Sequence, residues 1–422
     1  MKHLFSQNHL FYRFTAFSFN SGTIRKICTI IIVFGFLIGF ATESVYAQRK
    51  VRVDPPPATL NDLPCINEKP VFEIIDLFDQ KDKKDIRIPN IVVTQKGTVI
   101  AGADSGHLIR TSQDQGKTWS ETLQLKFHGG SSLVVDETNG NILIVCGNGI
   151  LLRSQDEGKT WTEEKITIRS NLVGLGAPDS QAPIEISCSE SGVTLKYGQK
   201  KGRLLMPGRI LAPFGKNDQE HWMFHYNTSM FSDDHGKTWQ VSHPVQSGTG
   251  EGTLAEFSDG IVYYNSRSHM STDHRRQLAY SHDGGDRYVD WEVCEDLREV
   301  GEPFYFKYGT KPSYGCCAGL VRLPLELTNN KDVLLFSAPD DPGGNRIHMT
   351  VWCSLDRSRS WKIKRMIYEQ GCAYSSITAG TDGMIYLLFE KGDDKGPYGK
   401  VSVARFNLAW LFEPVLNNAT KH

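Results

Sequence analysis

The chain has 422 residues, 39% of them hydrophobic and 23% charged, with a formal net charge of −1. That composition excludes an intrinsically disordered protein, and the length holds either two or three ordinary domains or one body built of repeats. Near-neutrality leaves no global field for nucleic acid or for an anionic membrane surface, so an anionic ligand has to be met by a local group of bases.

Arg25 and Lys26 precede the apolar run Ile27–Ala41, and Val45-Tyr46-Ala47 has the pattern of a signal-peptidase site before Gln48. The run is about 15 residues, shorter than the roughly 20 that span a bilayer. The expectation is a leader over residues 1–47 that directs export to the periplasm or beyond, either cleaved or kept as an N-terminal anchor. Residues 48–70 are rich in proline and polar groups and read as a linker.

From Val71 onward the pattern is that of strands. Short runs such as Ile91–Val93, Thr98–Ile100, Asn141–Val145, Gly260–Tyr264 and Val333–Phe336 alternate with turn pairs such as Lys96-Gly97, Asn139-Gly140 and Asp382-Gly383. No long amphipathic helix is predicted. The octad Ser112-Gln113-Asp114-Gln115-Gly116-Lys117-Thr118-Trp119 recurs as Ser154–Trp161 and Ser232–Trp239. Two worn copies begin at Ser281, where Trp291 is displaced by an insertion, and at Ser354. In each, the Asp is expected to accept backbone N–H groups one to three residues on, the Gly to supply a turn conformation, and the Trp to open the next strand as a buried anchor. Repeated units of four short antiparallel strands predict an all-β fold, a six-bladed β-propeller spanning residues 71–411 with a C-terminal tail over 412–422. The run Val401–Phe406 is expected to pair near Val71–Phe78 and close the ring.

Nine cysteines are present, eight of them after residue 47, with no C-x-x-C pair and no His at zinc spacing; Cys316 and Cys317 are adjacent, a poor arrangement for a disulfide. Pairing of some of the eight and retention as buried free thiols both stay open. With no ligand-spaced His/Cys/Asp cluster and no phosphate-cradling Gly loop, neither metal nor redox cofactor is expected.

A repeat scaffold says nothing of function, which must come from residues outside the repeat. Arg87-Ile88-Pro89 opens the first blade, Glu251 lies in Gly248–Thr253, and Arg267 ends Asn265-Ser266-Arg267. Arg346 follows Asp341–Asn345, Tyr374 lies in Gly371–Ser376, and Glu390 ends Tyr386–Glu390. Together with the octads, Gly202-Arg203-Leu204, Pro207-Gly208-Arg209 and the closing Ala404–Leu408, this order resembles the sialidase (exo-α-neuraminidase) family with its Asp-box repeats, from about Arg87 to Leu411.

The resemblance implies removal of terminal α-linked sialic acid from sialylated glycans, whether glycoprotein, glycolipid or oligosaccharide, with no nucleic-acid partner. Sialic acid carries a carboxylate on its anomeric carbon. Arg87, Arg267 and Arg346 are then the guanidiniums that grip it, and Glu390 braces Arg87. Tyr374 is the implied nucleophile, since a neutral phenol avoids the repulsion a carboxylate would meet, and Glu251 is its base. Asp104 is the implied general acid, with His107 or His128 as other sources of a proton. The loop after Ile100 is short and lacks an Arg usual in the family, and Cys316-Cys317 stand where the family often has a Gly-Cys-Gln-Gly run. These departures leave two further readings: action on another ulosonic acid such as a deaminated sialic acid, or a carbohydrate-binding propeller without catalysis.

Overall fold

The structure is a computed structural model that describes residues 54–419 apart from 80, 85, 172–185, 189, 212–218, 271–273 and 302–314. The expected leader lies outside the described residues. The chain divides into two units, Met1–Pro55 and Pro56–His422, and everything below concerns the second.

Strand β1 (Phe72–Phe78) is followed by a meander of β2 (Asn90–Val93), β3 (Val99–Ala103), β4 (Leu108–Ser112) and β5 (Leu123–Gln124). A second meander holds β6 (Ser131–Asp136), β7 (Asn141–Cys146), β8 (Ile150–Ser154) and β9 (Thr162–Lys165). The third sheet is less regular. It contains β10 (Thr167–Arg169), β11 (Ser187–Cys188), β12 (Val193–Thr194), β13 (Leu204–Ile210), β14 (Tyr226–Ser232), β15 (Thr238–Val241) and β16 (Gln246–Ser247), and β10 pairs with β15 in parallel. A fourth sheet is β17 (Thr249–Glu256), β18 (Val262–Ser268), β19 (Arg275–Ser281) and β20 (Val289–Arg298).

The last sheet runs β21 (Gly319–Arg322), β22 (Leu334–Pro339), β23 (Ile347–Ser354), β24 (Ile363–Ala379), β25 (Ile385–Asp393) and β26 (Gly396–Phe406), with β1 on its far edge. The first half of β24 pairs with β23 and the second with β25, so one long strand serves two blades, and the expected count of six blades depends on dividing the sheet there. Phe72 faces Phe406 and Phe78 faces Val401, so the ends of the chain's β region close on each other as the sequence led us to expect. Strands β2, β6, β12, β17, β21 and β24 line a common cavity of about 170 Å³. This is a β-propeller, with the innermost strands around its axis.

The octads are turns, with one detail different from expectation. Asp114 Oδ1 accepts the N–H of Thr118, four residues on, at 2.9 Å, while Ser112 Oγ takes the Gly116 N–H at 2.9 Å. Gln115 and Gly116 both have positive φ, the conformation the Gly was expected to supply. The copies at Asp156, Asp234 and Asp356 repeat these bonds. Trp239 and Trp361 are buried anchors, whereas the displaced Trp291 is 56% exposed. In that worn copy Tyr288 is buried instead, against Ser229 and Tyr264.

Part of the stretch read as a linker belongs to the body. Leu63, between two short 3-10 turns, and Cys65 and Ile66, in the second of them, are buried in one cluster with Leu408, Leu411 and Phe412 of helix α1 (Leu408–Ala419). Asn407 starts that helix, its Oδ1 accepting the Trp410 N–H at 3.1 Å, and so residues expected as a tail form an element. The eight described cysteines are all free, and seven are buried.

Candidate active site

Arg87 lies just before β2, Arg267 on β18, and Arg346 just before β23. All three converge on Tyr374 of β24: their Cζ atoms are 4.8, 5.7 and 5.7 Å from its ring centroid. Tyr374 and Glu251 each sit where strand register slips, between Cys372 and Ser375 on β24 and between Thr249 and Gly252 on β17. Such bulges re-aim a side chain out of the ordinary alternation, here toward a shared centre.

The Tyr374 hydroxyl donates to Glu251 Oε1 at 2.8 Å and accepts from Arg267 Nη1 at 2.7 Å; Arg267 Nη1 also meets Glu251 Oε2. Burial would raise the Glu251 carboxyl, but Arg267 and then Arg209 hold it well below the usual carboxylate range. Burial pushes the Tyr374 phenol above the usual tyrosine range, against the pull of Arg267. The pair is therefore a neutral phenol hydrogen-bonded to a carboxylate, with a cation placed against the phenol oxygen.

Glu390 on β25 is buried and accepts four N–H groups. Arg87 donates from Nε at 2.9 Å and Nη2 at 3.3 Å, and the backbone N–H groups of Ile88 and Tyr374 each donate at 3.0 Å. One carboxylate thus fixes both the first arginine and the tyrosine's backbone. Ile88 has φ +56, in the left-handed region, which for a β-branched residue costs on the order of 1–3 kcal/mol. That strain is held between Pro89 and the Glu390 bond.

Asp104 follows β3 with φ +54; its N–H donates to the Arg87 carbonyl at 2.6 Å and its carboxylate pairs with Lys83. It lies beside the Arg87 segment, and no hydrogen bond or ion pair joins it to Tyr374 or Glu251 among the described residues. The His107 ring nitrogens face the carbonyls of Asp104 (2.6 Å) and Phe127 (3.1 Å), and the ring stacks on Phe127. His128 is exposed. Cys316 and Cys317 are buried with Ala373 and Tyr374 and form part of the floor of the site.

Three further groups escaped the sequence reading. Arg209 lies buried in the run Leu204–Ile210, and its Nε has no hydrogen-bond partner among the described residues. His269 is buried against Trp222, with neither ring nitrogen hydrogen-bonded among the described residues; burial and then Arg267 hold it well below the usual imidazole range, so it is neutral. Tyr398 of β26 reaches Arg346 and Arg87. The signal for Arg209 was a lone charge in an otherwise apolar strand, and it was quoted within Pro207-Gly208-Arg209 without a role.

The BNR repeat-like domain family matches residues 146–387, more than half the chain and inclusive of Glu251, Arg267, Arg346 and Tyr374. A sialidase of Micromonospora viridifaciens is 28% identical over 378 residues, covering 77% of this chain and 52% of that protein. A sialidase of Bacteroides fragilis (strain YCH46) is 25% identical over 342 residues, covering 72% and 59%. This chain thus spans little more than half the length of these curated relatives. Among solved structures, the Hadza microbial sialidase Hz136 superposes with a TM-score of 0.57 at 21% identity, covering 77% of this chain and 66% of the other, which shows a shared fold. The chain therefore belongs to the BNR repeat-like domain family, and the curated relatives and the solved structure it is similar to are sialidases.

Proposed function

We propose that the chain is a retaining exo-glycosidase that hydrolyses terminal α-linked sialic acid from glycoconjugates. The observation that carries this reading is the hydrogen-bonded Tyr374–Glu251 pair, set among three guanidiniums from separate parts of the ring. Binding an anionic sugar needs only the arginines; a buried carboxylate on the phenolic hydrogen serves a nucleophile. In this scheme Arg87, Arg267 and Arg346 hold the substrate carboxylate. The Tyr374 oxygen attacks the anomeric carbon and passes its proton to Glu251, while the bond to the leaving oxygen breaks and Asp104 protonates that oxygen. Arg267 stabilises the charge that develops on the phenol as the proton leaves. Water, deprotonated by Asp104, then attacks the glycosyl-tyrosine, and Glu251 returns the proton to Tyr374.

Purified protein should release free sialic acid from sialyl-lactose, and Tyr374→Phe should lower kcat by at least about 10³-fold. No release by the wild type between pH 4 and 8, across several linkages, or full activity in the Phe variant, would sink the proposal.

A further inference from the structure

Besides the three arginines, one more polar group is built into the anion cradle. Arg346 Nη1 donates to the Tyr398 hydroxyl at 2.6 Å, and the Arg87 guanidinium lies 4.5 Å from the Tyr398 ring centroid. The placement is specific. A Cβ on Gly371 would strike the carbonyls of Asp393 and Gly396, and one on Gly392 would lie 2.6 Å from the Pro397 carbonyl carbon and 2.7 Å from the Tyr398 nitrogen. Two glycines thus let the Gly396–Tyr398 backbone press against β24 and β25, at the place where the phenol meets both arginines. Tyr398 is 44% exposed, so burial of its ring does not account for it.

The donors around it have few other commitments. Arg87 spends Nε and Nη2 on Glu390, and Arg346 spends Nη2 on the Gly315 carbonyl at 3.0 Å. Among the described residues, Arg87 Nη1 and the second hydrogen on Arg346 Nη1 remain, beside the Tyr398 ring and hydroxyl. The phenol oxygen accepts from Arg346, and among the described residues its own hydrogen meets no acceptor. An O–H polarised by a guanidinium is a strong donor to a carboxylate.

We infer that Tyr398 is a fourth ligand of the substrate carboxylate, its oxygen accepting from Arg346 while its O–H donates to the anion held between Arg87 and Arg346. This rests on the proposed glycosidase reading. Tyr398→Phe keeps the ring on Arg87 and removes only the hydroxyl.

The test measures, for full-length wild type and Tyr398→Phe, the Kd of N-acetylneuraminic acid by calorimetry and the kcat and KM on sialyl-lactose. The expected result is a Kd and a KM raised roughly tenfold or more with kcat within about twofold, as loss of a charge-assisted bond made to substrate and transition state alike. Unchanged Kd and KM would make Tyr398 a prop for Arg346, and tighter binding would make it a cover over the cradle; either result overturns the inference while leaving the glycosidase reading intact. Wild type that neither binds the acid nor turns over the substrate defeats both.

Discussion

Glu251 carries the sharpest expectation about pH. Its folded-state carboxyl is held well below the usual range by Arg267 and Arg209, which outweigh its burial, so it is ionised from that low value upward. In its proposed role as base, it is expected to be ready through pH 4–8 and to lose function only as pH falls below the ordinary carboxylate range. The Tyr374 phenol is raised by burial, and the Glu251 charge adds to that rise. Replacing Glu251 by Gln removes the proton acceptor and also eases ionisation of the phenol beside Arg267. Glu251→Gln is therefore expected to lose roughly 10²–10⁴-fold in kcat/KM near neutrality and to climb with pH as Tyr374 ionises unaided. A kcat/KM profile from pH 4 to 9.5 checks this, and a variant whose profile parallels the wild type would remove Glu251 from the role of base.

Among elements, the bulge at the start of β17 decides where Glu251 points, and Gly250 makes the bulge possible. A Cβ on Gly250 would fall within the His269 ring, which is itself wedged against Trp222. Gly250→Ala must displace the imidazole or the strand, with an expected loss of about 2–3 kcal/mol of stability and a fall in kcat, read by urea denaturation and steady-state rates. A fully active, equally stable variant would show that the backbone yields easily there. The same element explains what was legible in the sequence. The octads and the strands are local patterns of spacing, and Arg87, Arg267, Arg346, Tyr374, Glu251 and Glu390 were marked by the order of short motifs. Arg209, His269 and Tyr398 were not, because their importance arises from tertiary neighbours (Glu251 for Arg209, Trp222 and Arg267 for His269, Arg346 and Arg87 for Tyr398) that no local motif announces. The turns at Leu60–Asn67 were hidden by surrounding prolines and polar residues, and α1 by its shortness and by Pro414. Among the described residues, no hydrogen bond or ion pair joins Asp104 to Tyr374 or Glu251.

At the scale of the molecule, the axial cavity holds a buried carboxyl. Glu190 Oε1 accepts from Ser376 Oγ and from the Ser191 N–H at 2.9 Å, Oε2 has no partner among the described residues, and burial pushes the group up to about 8 from an ordinary value of 4.5. Below the ordinary value both folded and unfolded chains hold the proton. Between there and about 8 only the folded chain does, so stability falls with rising pH, by at most roughly 1.4 kcal/mol per pH unit, and levels off above. Glu256, raised to about 7 by burial, adds to the slope at lower pH. Glu190→Gln should flatten the decline, most visibly between pH 7 and 8, in urea denaturation at pH 5, 6.5, 7 and 8; an unaltered slope would show that Glu190 is ionised in the fold.

The pairing of β1 with β26 also has a consequence for synthesis on the ribosome. Arg87 emerges early, yet its brace, Glu390, lies 303 residues downstream, and the strand that shuts the ring follows even that. Earlier blades can form as they appear, but the cradle cannot be complete until β25 and β26 have been made. A nascent chain that stops short of β25 therefore lacks the brace on Arg87, and the proposed anion cradle is assembled in a single late event.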